Sequence, residues 1–188
     1  VLIYGNKTSA GSETADTLDT ANPIQSLDDC YARFGRRSEW AWMYRMFTAV
    51  PQSATIYGIA VAENGSGTAA SCTFTFATTA TGTTNPIVEW GGYQISAPVT
   101  TGATAIVQAA AVTAKINSWE EGTMPFTAAQ GAPTDDHIVT VTTANLGPRH
   151  GLTIDKPLRM YYQKSVATTV TKSAITAGTN ADDYTNAY

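Results

Sequence analysis

Residues 34–47, FGRRSEWAWMYRMF, limit the possible folds more than any other stretch. Two Trp, two Phe, two Met, one Tyr and three Arg fall within fourteen residues. On a helical wheel Trp40, Met43, Tyr44 and Phe47 share one face. Trp42 and Met46 point nearly opposite, beside Glu39 and Arg45. A helix that is apolar on two sides needs cover on both, from its own domain or from a neighbour. The expectation is that Trp40 packs in a core. The face carrying Trp42, Arg45 and Met46 is expected to touch another subunit or domain. Arginines among aromatics can also stack on nucleic-acid bases, but the charge balance argues against that. Eleven basic residues stand against fifteen acidic ones, a net of −4, with a pI near 5.0. A nucleic-acid reader carries a basic face.

The elements around this stretch read in order. VLIYG opens as a strand stopped by Gly5, and the polar run KTSAGSETADTLDTANP follows as a loop. Ser26 is placed to cap a helix with Asp28 and Asp29 in its first turn, where acids suit the dipole. Leu27, Cys30, Tyr31 and Phe34 give that helix an apolar stripe, and Gly35 ends it. Ser38 caps the next helix. Pro51 closes the region before ATIYGIAV, a buried strand expected to run parallel to the first.

Beyond the turn ENGSGT the texture becomes that of strands. SCTFTFATTA alternates, with Cys72, Phe74 and Phe76 on one face. PIVEWGGYQISAPV reads as a hairpin about Gly91-Gly92. Thr104 caps an amphipathic helix, AIVQAAAVTAKINSW, with Ile106, Ala109, Thr113 and Ile116 on one face. FTAAQ, HIVTVTTA, LRMYYQ and VATTVTKSAIT supply further strands, and NADDYTNAY reads as the opening of another helix. The fold class is therefore α+β: an α/β unit over 1–67, then a β-rich domain of antiparallel strands and one helix over 68–177.

Taken in order, several of these pieces carry a likeness. They are the opening VLIYG, the Phe34-Gly35…Ser38 turn between two helices, and the Met- and aromatic-rich helix leading into ATIYGIAV. TFTFATTATGTTNPIVEWGGYQISAPV, the cap Gly102-Ala103-Thr104-Ala105 and the helix ending Ile116-Asn117 follow. PFTAAQ, VTVTT and Asn145-Leu146-Gly147…Gly151 complete the series. The series resembles the contractile-tail sheath proteins of bacteriophages, those of Mu-like phages in particular, over nearly the whole chain. It departs at Arg37, where the family has Gly, at Ala97-Pro98 within a strand, and at Leu152.

The resemblance implies a structural subunit of the virion with a β-rich domain inserted into an α/β core: the first part of the core over 1–67, the insertion over 68–177 and the start of the return to the core over 178–188. Such subunits form a helical homo-oligomer around the tail tube protein. They are assembled in the host cytoplasm with baseplate and tail terminator proteins. Contraction drives the tube through the host envelope for genome ejection. It also implies that this chain, which opens without Met, is a segment of something longer.

Little in the sequence asks for an enzyme. His137 and His150 lack a second ligand at metal spacing, and Asp135-Asp136-His137 reads as a polar turn before a strand. No GxSxG, HExxH or GxxxxGK[ST] occurs. No catalytic residue, cofactor or metal is expected. Cys30 and Cys72 are expected as two small buried residues rather than a disulfide. No apolar run reaches the roughly 18–20 residues that span a bilayer. The competing reading is a secreted β-rich adhesin or carbohydrate-binding module, whose sugar-stacking face would be Trp90, Tyr93 and Trp119.

Overall fold

A computed structural model describes residues 1–8, 11, 21–51, 53–61, 66–146, 158–162 and 170–179. Ten strands and three α-helices occur among them, an α+β fold. The expected helix over NADDYTNAY and the loop holding Arg149, His150 and Leu152 lie outside the described residues.

The first sheet has the order β1-β3-β2. Strand β1 (Leu2–Asn6) pairs in parallel with β3 (Ile56–Val61), as the sequence led us to expect. The short β2 (Asn22–Ile24) pairs antiparallel on the other side of β3. This strand corrects the reading of residues up to Pro23 as loop. A proline cannot donate to a ladder, so Pro23 fits only at an edge, and β2 is one.

Helices α1 (Leu27–Phe34) and α2 (Glu39–Thr48) follow. Ser26 and Ser38 accept from Asp29 N–H and Ala41 N–H, satisfying donors at the helix starts. Gly35 takes φ 88° and closes α1. Cys30, Phe34, Trp40, Ala41, Tyr44, Ile24, Ile56 and Ala60 form one apolar cluster between helices and sheet. Phe34 and Trp40 stack at 4.1 Å and 7°. The pair lies against Gly58, where a side chain would collide with both rings.

The rest of the described chain builds the β-rich lobe. One sheet has the order β10-β4-β8-β7: β10 (Val170–Lys172), β4 (Ala69–Phe76), β8 (Ile138–Leu146) and β7 (Phe126–Gln130), all antiparallel. The other joins β6 (Tyr93–Ser96), β5 (Pro86–Trp90) and β9 (Arg159–Tyr162). β5 and β6 form the expected hairpin, and Gly91 and Gly92 supply its φ of 58° and 88°. Alternation in β4 buries Ala70, Cys72, Phe74 and Phe76. Helix α3 (Ala105–Ser118) packs on β4, β7 and β8.

The wheel for α3 needs correction. Gln108, Ala109, Val112 and Ile116 are its buried residues, and Ile106 is 45% exposed. Counting apolar residues left out Gln108, which is buried because its amide donates to the Thr78 and Ala103 carbonyls at 2.8 and 3.0 Å. The face is thereby rotated from the expected one.

Candidate contact site on the second helix

Helix α2 lies between two apolar clusters. Trp40 and Tyr44 belong to the α/β cluster. Trp42, two residues along, packs against the cluster of the β-rich lobe. Its ring meets Trp90 at 5.3 Å and Tyr93 at 5.5 Å. Trp90 and Trp119 in turn meet Phe126 edge-on at 5.3 and 6.0 Å. Edge-to-face contacts of this kind suit the ring quadrupoles and contribute beyond area burial. Of the three residues picked out on this face, Trp42 thus lies between lobes of one chain.

Arg45 continues the contact. Its guanidinium pairs with Glu120 at 2.7 Å, donates to Thr123 Oγ1 and lies 5.7 Å from the Trp42 ring. Met46 is different. It stays 49% exposed, its sulfur accepts from the Tyr93 hydroxyl at 3.8 Å, and Val50 one turn on is 60% exposed. The expected contact face therefore divides into an inner part used within the chain and an outer apolar edge.

Two further residues hold the lobes together, and the sequence reading assigns neither of them a contact role. Arg37 donates to the carbonyls of Met124 and Phe126 at 3.2 and 2.7 Å, and to that of Asn117 at 2.7 Å. Burial lowers its pKa below the ordinary value. Asn145, 1% exposed near the end of β8, accepts from Glu39 N–H at 2.8 Å and donates to the Lys7 carbonyl at 3.0 Å. It thus satisfies a donor at the start of α2 that the helix itself leaves free. The signal at Arg37 was its departure from Gly in the resemblance. Nothing local in the sequence pointed to carbonyls 80 residues or more away.

The aromatics offered as a sugar-stacking face do not form an exposed row. Trp90 is 6% and Trp119 4% exposed, and Tyr93 is partly buried between Trp42 and Trp119. The cysteines are free and buried, one in each cluster. Burial, reinforced by Asp29, pushes the Cys30 thiol up to about 12. Among the described residues no three His, Cys, Asp or Glu side chains gather as a metal site, and no helix is long and apolar enough to cross a membrane. His137 stands in the turn before β8. A scan of protein-family models finds none that matches this chain, and a search of curated proteins returns no match.

Proposed function

We propose that the chain is the core-and-insertion part of a contractile tail sheath subunit, working by mechanics rather than catalysis. The observation that carries this reading is the fastening of the two lobes around one helix, α2, and the turn before it. Trp42, Arg45, Arg37 and Asn145 tie the α/β lobe to the β-rich lobe through ring packing, an ion pair and bonds to backbone groups. A sheath subunit has to move as a stiff body while its contacts with neighbours rearrange between two arrangements. The order of elements on which the resemblance rests adds support. So does the parallel β1–β3 pair, which begins an α/β unit. The sugar-binding reading lacks its aromatic row, since Trp90 and Trp119 lie inside the fold.

In this reading the partners are copies of the subunit, the tail tube, the baseplate and the tail terminator, and the place is the virion. Met46 on α2 and Val50 just past its end form the apolar edge offered to a neighbouring subunit. The test is electron microscopy of the full-length protein expressed alone and with tail tube protein. Striated tubes in either preparation, with Met46 at a subunit boundary in the reconstruction, are the expected result. A monomer under both conditions overturns the reading, and a bare Met46 in an assembled tube removes its assigned role.

A further inference from the structure

Three successive residues after α3 are left-handed: Glu120 (φ 48°, ψ 46°), Glu121 (φ 57°, ψ 29°) and Gly122 (φ 74°). Among the described residues these two glutamates are the only non-glycine positions with positive φ. An L side chain there is crowded against the following carbonyl, and glutamate lacks the short polar group that lets Asn or Asp offset the crowding. Glu121 is exposed, and its side chain makes no hydrogen bond to a described residue. Nothing at position 121 itself compensates for its conformation.

The compensation lies on both sides and comes from the other lobe. Arg45 holds the Glu120 carboxylate with one guanidinium nitrogen and the Thr123 hydroxyl with the other, bracketing the left-handed residues. The Thr123 hydroxyl donates back to the Glu120 carbonyl at 2.5 Å. Arg37 grips the chain just before, at Asn117 O, and just after, at Met124 O. Trp119 and Met124, 4% and 0% exposed, anchor the two ends in the β-rich core. Strained backbone persists where its surroundings over-determine it, and here the surroundings are two arginines from the α/β lobe.

We propose that the connection Trp119–Thr123 is a sprung strap. Docking of the α/β lobe through Arg45 holds it left-handed, and it relaxes when Arg45 lets go. Lobe docking and strap geometry then form one two-state element, a device that does not depend on the sheath reading.

The test is a double-mutant cycle on the full-length protein with Glu121→Gly, Arg45→Ala and the pair, read by thermal melting and by amide exchange across Trp119–Met124. Glycine adopts the left-handed region without crowding, so Glu121→Gly should raise the melting temperature by about 2–4 °C in the parent. In the Arg45→Ala background the same change should give less than half that rise. Amide protection at 120–123 should there fall on the order of tenfold. Equal rises in both backgrounds would mean that the strap stays left-handed without Arg45, and the proposal fails. No rise in the parent removes the strain and overturns it equally. If Arg45→Ala does not fold, Arg45→Lys serves as the second background. It keeps the charge but cannot fork between a carboxylate and a hydroxyl.

Discussion

Trp40 and Trp42 stand two residues apart on one helix and belong to different cores. Trp40 is fully buried, stacked nearly flat on Phe34, with its indole N–H donating to the Ile3 carbonyl at 3.3 Å. Trp42 keeps part of its surface and meets its neighbours at steep angles, 58° to Trp90 and 65° to Tyr93. The first is a keystone within the α/β lobe. The second spans a sequence distance of about fifty residues and holds two lobes together. The same residue type therefore serves stability on one side of the helix and lobe geometry on the other.

Substitutions separate these roles, and the largest effect belongs to Trp40. Trp40→Ala should cost about 3–5 kcal/mol, as large core truncations do. Amide protection should vanish first in β1 and β3 while β4 and β8 keep theirs; simultaneous loss in all four would mean that the two clusters are one cooperative unit. Arg37→Ala comes next, at about 2–4 kcal/mol in urea unfolding, because three carbonyls lose a charged donor. Arg37→Lys should recover little, since an ammonium cannot reach all three from one position. Full recovery would reduce the role of Arg37 to charge alone.

Trp42→Ala should cost about 2 kcal/mol and leave β1, β3, β4 and β8 protected against exchange, with the loss confined to the C-terminal turn of α2 and the β5–β6 hairpin. A loss of the whole α/β lobe would contradict the division between the two tryptophans.

The smallest effect at neutral pH concerns the cysteines. Burial raises the Cys30 thiol from an ordinary 9.0 to about 12. Burial raises Cys72 too, while Lys172 pulls it back. A thiol with a raised folded pKa stays neutral and costs nothing below pH 9.0. Above that the unfolded chain ionises first, so stability should fall as pH rises from 9.0 toward about 12. Urea midpoints over that window should slope less in Cys30→Ala than in the parent. An unchanged slope would assign the loss to other groups.

Much of the fold could be read from local chemistry. The serine and threonine caps, the Gly35 stop, the Gly91-Gly92 hairpin and the alternation of β4 are written within a few residues of where they act. The parallel pairing of β1 and β3 followed from the helices between them. What escaped depends on distant partners. Gln108 is buried because two carbonyls meet it, and Ile106 is exposed as a consequence. Trp90 and Trp119 looked like surface rings until Trp42 and Phe126 covered them. On the contact face the wheel groups Trp42, Arg45 and Met46, of which Met46 stays 49% exposed. The wheel could not say that Arg45 reaches Glu120, or that Arg37, on a turn, donates to three carbonyls of the other lobe.

The seat of the Trp40 ring on Gly58 also limits how this chain can vary. A methyl group at position 58 would meet both Trp40 and Phe34, so any larger residue there requires a smaller one at 40 or 34. Positions 40 and 58 should therefore trade volume in pairs. In a randomised library, survivors carrying Ala at 58 should be depleted of Trp at 40, whereas Trp42, whose neighbours are rings rather than backbone, should tolerate Phe or Tyr on its own.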